Sequence, residues 1–117
     1  MDVESIRTFC LSLPGTDESF PFDSETLVFK VGGKMFALIS LERSDFNLTL
    51  KMDPEKSEQV REDPDDVQTA YHMDKRHWVG IRTQGSISPE TIRSWIVDSH
   101  ALVLSSLPKK KQAEIRP

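Results

Sequence analysis

Between Ala70 and Trp78 the chain reads AYHMDKRHW, with two histidines, two cations, a tyrosine and a tryptophan in nine positions. Imidazoles suit metal ligation or proton transfer, while cations interleaved with rings suit phosphates and bases. The spacing argues against a metal. His72 and His77 stand five apart, which matches neither the i, i+4 face of a helix nor the i, i+2 face of a strand, and His100 is remote. Covalent hydrolysis is no better served, because no Gly-x-Ser-x-Gly elbow occurs. Cys10, the single cysteine, falls on the apolar positions of a predicted helix and reads as a buried, inert thiol; alone it also excludes an internal disulfide. Gly32-Gly33 is a hairpin turn rather than a phosphate loop. No metal or other cofactor is expected and no catalytic constellation emerges. His72 and His77 are the groups whose ordinary pKa would suit acid–base work if a cleft held them.

Nucleic-acid recognition fits the same stretch better. Lys75, Arg76 and His77 would neutralise phosphates, with His72 beside them, and Tyr71 and Trp78 would stack on bases or brace the loop. Lys30, Lys34, Lys51 and Arg82 on the neighbouring strands, and Lys109 and Lys110 near the C-terminus, extend the candidate surface. The overall charge of -4 runs against this reading, but its distribution does not. Residues 1–70 hold 7 Lys and Arg against 15 Asp and Glu, a balance of -8; residues 71–117 hold 8 against 4, a balance of +4.

The elements that must position these residues follow from periodicity and punctuation. Asp2 caps a helix over VESIRTFCLSL, whose Ile6, Phe9, Cys10 and Leu13 recur at helical spacing. After the loop GTDESFPFDSE, TLVFKVGGKMFALISL reads as a hairpin about Gly32-Gly33, where a two-residue turn needs positive φ. DFNLTLKM alternates, with Phe46, Leu48, Leu50 and Met52 facing one way. Asp53-Pro54 starts a short polar helix. HWVGIRTQG is a strand with Val79 and Ile81 on one face, and Ser88-Pro89 opens a last helix whose core contacts are Ile92, Trp95, Ile96, Val103 and Leu107. Pro108 stops that helix, and 109–117 reads as a frayed basic tail.

The 117 residues thus form a single α+β domain. The expected architecture is a two-layer sandwich, an antiparallel sheet with helices packed on one face, in the order α-β-β-β-α-β-α. The two-residue turn sets Phe29 opposite Phe36 and Leu27 opposite Leu38, so these with Val31 form one apolar face. The other face then carries Val28, Lys30, Met35, Ala37 and Ile39, together with Asn47, Thr49, Lys51, Trp78 and Arg82. Antiparallel sheets commonly leave one face to solvent. That half-apolar face also supports an alternative reading, a protein- or small-molecule-binding module with no nucleic-acid role, or a self-association surface. No apolar run approaches the roughly 20 residues of a membrane span and no leader pattern opens the chain, so a cytoplasmic protein without a membrane partner is expected.

Four blocks in order, LPGTDESFPF (13–22), FKVGGKMFAL (29–38), YHMDKRHW (71–78) and LPKKK (107–111), resemble the MmcQ/YjbR family of small bacterial proteins. The resemblance spans nearly the whole chain. It implies a CyaY-like fold and a DNA-binding or regulatory role through a double-wing arrangement of sheet and helices, and it carries no catalytic residue or cofactor. Where family members often read Tyr-His-Met-Asn-Lys, this chain has Asp74, a carboxylate expected to offset the field of Lys75 and Arg76.

Overall fold

In a computed structural model, which describes residues 1–43, 45–70 and 73–116, a six-stranded antiparallel sheet carries its helices on one face. The elements are α1 (Val3–Ser12), β1 (Thr16–Ser19), β2 (Thr26–Val31), β3 (Lys34–Ser40), β4 (Leu48–Lys51), α2 (Pro54–Val60), β5 (Val67–Thr69), β6 (Trp78–Ile81), α3 (Pro89–Ser105) and α4 (Lys109–Ile115). Three helices start where capping chemistry places them. Asp2 accepts the Ser5 N–H at 2.7 Å, Asp53 that of Lys56 at 3.0 Å and Ser88 that of Thr91 at 3.1 Å, each satisfying a backbone donor that has no partner inside the helix.

The sheet order is β1-β2-β3-β4-β6-β5. Two of its strands, β1 and β5, extend the expected pattern at the edges. Both are short, and TDES in β1 has no apolar alternation to announce it; its pairing to β2 supplies the order instead.

The hairpin register departs from the pairing expected of the two-residue turn. Val31 faces Lys34 and Lys30 faces Met35, as a two-residue turn dictates, but Phe29 then faces Ala37 and Leu27 faces Ile39. A bulge absorbs Phe36 as an extra residue, and from there on β3 presents the opposite side of its chain. Phe36, Ala37 and Ile39 therefore join the main core with Leu27, Phe29 and Val31, while Leu38 passes to the other face with Val28. The Phe36 carbonyl accepts a buried hydrogen bond from Ser99 Oγ at 2.6 Å, so α3 satisfies the backbone at the bulge.

The main core lies between sheet and helices: Ile6 and Cys10 from α1, Ile92, Ile96 and Val103 from α3, and Leu48, Leu50, Val79 and Ile81 from the strands. Burial pushes the Cys10 thiol up to about 12, which keeps it protonated and inert. His100 is equally structural, with its Nε2 2.8 Å from the Pro14 carbonyl and its ring edge-on to Phe36.

The C-terminal segment is not frayed over 109–115. It forms α4, and Ile115 packs on the core beside the glycines of the first loop and the hairpin turn. Gln112 Nε2 donates to the Ser105 and Leu107 carbonyls, closing the end of α3.

Candidate nucleic-acid interface

Within the recognisable stretch, residues 73–77 form the turn that leads into β6, and Asp74 builds it. Its Oδ1 accepts the Arg76 N–H at 2.9 Å and its Oδ2 lies 2.8 Å from His77 Nδ1. Its backbone carbonyl accepts the N–H groups of His77 and Trp78. The Arg76 amide, and then His77, hold the Asp74 carboxyl below its ordinary value. The carboxylate is thus first a turn cap, and it leaves the Lys75 and Arg76 side chains exposed at the tip. His77 sits half-exposed on this open turn, beside Asp74 but with no nucleophile among its described hydrogen-bond partners. Tyr71 and His72 lie outside the described residues.

Trp78 begins β6 and is only 7% exposed. It packs with Val28, Leu38 and Ala70 on the second sheet face, with Met35 and Met73 against the cluster. Of the two roles open to it, bracing the loop is the one its burial allows, since a base has no free ring face to stack on. The same cluster corrects the expectation of an open apolar patch there: Val28 and Leu38 are buried, and Ile39 belongs to the main core. Lys51 pairs with Trp78 across β4 and β6, and its Nζ lies 5.9 Å from the indole centroid.

Strand register decides which cations come together. Lys34 follows the β2–β3 turn, Ala37 pairs with Leu50 so that Lys51 points toward the same end, and Lys51 pairs with Trp78, next to the 75–77 tip. A Cβ at Gly32 would touch Leu107 and Ile115, so the start of α4, with Lys109 and Lys110, sits by the same turn. One end of the sheet thus gathers Lys34, Lys51, Lys75, Arg76, Lys109 and Lys110. Among the described residues none of them is in an ion pair with a carboxylate. Asp53, Asp74 and Glu55 share that end, but Asp53 and Asp74 spend their oxygens on caps. Arg61 lines a shallow cleft with Arg76, Glu55 and Glu58, a cation that its distance in sequence had hidden.

Two candidates fall elsewhere. Lys30 is half-buried within β2, between Asp17 of β1 and Met35 of β3. Arg82 lies at the opposite end of the sheet and is structural. Its guanidinium stacks 4.5 Å from the Phe46 centroid, its Nε donates to the Asp65 carbonyl at 3.0 Å, and it lies 3.5 Å from the buried Asp66 carboxylate. Phe46 itself leaves the core face on which alternation placed it, because its ring serves as the platform for Arg82. Hydrogen bonds from the Ser86 hydroxyl and amide hold Asp66 below the ordinary carboxylate range, with Arg82 adding to the effect. No continuous basic groove therefore joins Lys30, Lys51 and Arg82 to the loop.

Among the described residues no three His, Cys, Asp or Glu side chains are placed to hold a metal ion, and no helix is long and apolar enough to cross a membrane.

The fold and sequence have clear relatives. A family model described as YjbR matches residues 11–102. The uncharacterised protein YbdF of Escherichia coli O157:H7 is 37% identical over 114 residues, covering 97% of this chain and 93% of the relative. YjbR of Escherichia coli strain K12, also uncharacterised, is 26% identical over 112 residues, 96% of this chain and 95% of that one. The crystal structure of Deinococcus radiodurans DR2400 superposes with a TM-score of 0.89 at 36% identity, covering 97% of this chain and 86% of that one. A Pseudomonas syringae protein gives 0.73 at 26% identity, over 88% of this chain and 99% of its own. With the family model spanning most of its length and a relative above 30% identity aligned nearly end to end, the chain belongs to the YjbR family.

Proposed function

We propose that this chain is a DNA-binding or regulatory module that works without catalysis, holding backbone phosphates at the basic end of its sheet. The observation that carries the reading is the register that brings Lys34, Lys51, Lys75, Arg76 and the first turn of α4 to one end, with none of these cations in an ion pair among the described residues, in a protein that is acidic overall. Contacts of this kind read charge and shape rather than base sequence, and the buried Trp78 stiffens the loop that presents them. Stacking of a base on Trp78 and readout by Arg82 are not part of the mechanism.

Fluorescence anisotropy with short duplex and single-stranded DNA tests it. Engagement of about four phosphates would weaken binding roughly a hundredfold between about 50 and 200 mM salt. Absence of binding at tens of micromolar protein in low salt would sink the reading.

A further inference from the structure

The helix that brings Lys109 and Lys110 to the basic end is held by few contacts. Along α4 only Gln112 and Ile115 are half-buried, and its other residues face water. Gln112 Nε2 donates to the Ser105 and Leu107 carbonyls at 3.2 and 2.8 Å, and Ile115 fits a notch made by two glycines. A Cβ at Gly15 would stand 2.7 Å from Ile115 Cγ2, and one at Gly32 would stand 3.4 Å from its Cδ1. One aliphatic side chain and two hydrogen bonds must therefore offset the backbone entropy lost by ordering the helix.

The start of the helix works against that order. α1, α2 and α3 each open on a side-chain cap and carry a glutamate in the first turn, namely Glu4, Glu55 and Glu90. α4 opens on Pro108 with no side-chain cap and no acid in its first turn, and its first three residues are Lys109, Lys110 and Lys111. Cations at the positive end of a helix dipole, crowded beside one another, disfavour the helix. Glu114 is the one acid within α4, and among the described residues it is in no ion pair.

Given DNA binding at the basic end, on which this rests, we propose that α4 is a strap whose docking is coupled to that binding. In the free protein the strap opens and closes; a nucleic-acid backbone at the basic end holds it closed. Only the docked helix keeps Lys109 and Lys110 beside the hairpin turn and Lys34, so phosphates favour the docked state. By the same linkage, whatever strengthens docking strengthens binding by an equal factor. Ile115 and Gln112 thus set the affinity of the site without touching its ligand.

Hydrogen exchange read by NMR and fluorescence anisotropy with a short DNA duplex, both on the full chain, test the coupling. DNA should slow exchange of the Gln112 and Arg116 amides, which donate to the Pro108 and Gln112 carbonyls, about tenfold relative to the α3 amides. Without DNA, added salt should slow the same amides, because it screens the three lysines. Ile115→Ser and Gln112→Ala alter no charge. Each should weaken DNA binding about three- to tenfold and lower the salt slope by about 1–2, while the α3 amides keep their protection. Ile115→Val should bind as the wild type does. Wild-type affinity in both variants, α4 amides indifferent to DNA, or no salt effect on α4 without DNA would each overturn the strap and leave DNA binding standing. No binding by the wild type would instead remove DNA binding itself, and the coupling with it.

Discussion

The two ends of the sheet treat their charges in opposite ways. At the end that holds the 75–77 tip, the exposed carboxylates of Asp53 and Asp74 accept backbone N–H groups rather than pair with lysine or arginine, and Lys75 and Arg76 face water beside them. At the other end the cation is the group consumed: Arg82 is laid on Phe46, donates to the Asp65 carbonyl and lies against Asp66, while among the described residues Glu25 and Glu42 are in no ion pair. The contrast shows how an acidic protein can present a cationic surface. What matters is which member of each potential pair the backbone occupies, more than the sum of charges.

The largest effect expected from disturbing this arrangement is at the hairpin turn. Gly32 and Gly33 both have positive φ, 57° and 84°, yet only Gly32 lies under Leu107 and Ile115. Gly32→Val should cost about 3 kcal/mol, combining left-handed strain with a collision that unseats α4. Gly33→Val, with open space beside it, should cost about 1–2 kcal/mol from strain alone. Chemical denaturation of both measures the gap, and equal losses would show that α4 does not depend on the turn.

The next comparison sets the two ends against each other. Lys75→Ala with Arg76→Ala should weaken DNA binding roughly tenfold at low salt, reduce the salt slope by about 2 and leave stability unchanged. Arg82→Ala should do the reverse, costing about 1–2 kcal/mol of stability through the lost ring contact and hydrogen bond, with DNA affinity intact. Matching affinity losses would erase the distinction between the ends.

The smallest effect concerns Asp74. Asp74→Asn keeps an oxygen to accept the Arg76 N–H but removes the charge, so DNA affinity should rise about two- to fivefold. The folded Asp74 carboxyl is held low, so its stabilisation is present above the ordinary value of about 3.9 and is lost as pH falls through the lower folded value. Thermal melts across that acid range should show this component in the wild type and not in Asp74→Asn.

Much of the fold was legible because its signals are local. Asp2, Asp53 and Ser88 each precede a helix they cap, Leu48 and Leu50 alternate against Thr49 and Lys51, and Val79 and Ile81 share a face as expected. The bulge was hidden for an equally local reason. MFALI is apolar throughout, so no polar residue marks which side faces out, and a one-residue shift reverses the faces without breaking any pattern. β1 is polar and β5 is three residues long, so neither carries a periodic signal. α4 shows a single buried-side residue, Ile115, among charges. Within the candidate site, the cationic tip was visible in AYHMDKRHW, but the roles of Asp74, Trp78 and Arg82 depended on partners that spacing does not reveal.

The sequence by itself determined the helix starts, the glycine turn, the strand alternation and the basic bias of residues 71–117, because each depends on neighbours a few positions away. Only the tertiary structure decided that Lys34, Lys51 and Lys109 join Lys75 and Arg76, and that Arg82 does not. Strand register and the docking of α4 bring together residues far apart in the chain, and whether a cation stays free depends on which oxygens reach it once the sheet has closed.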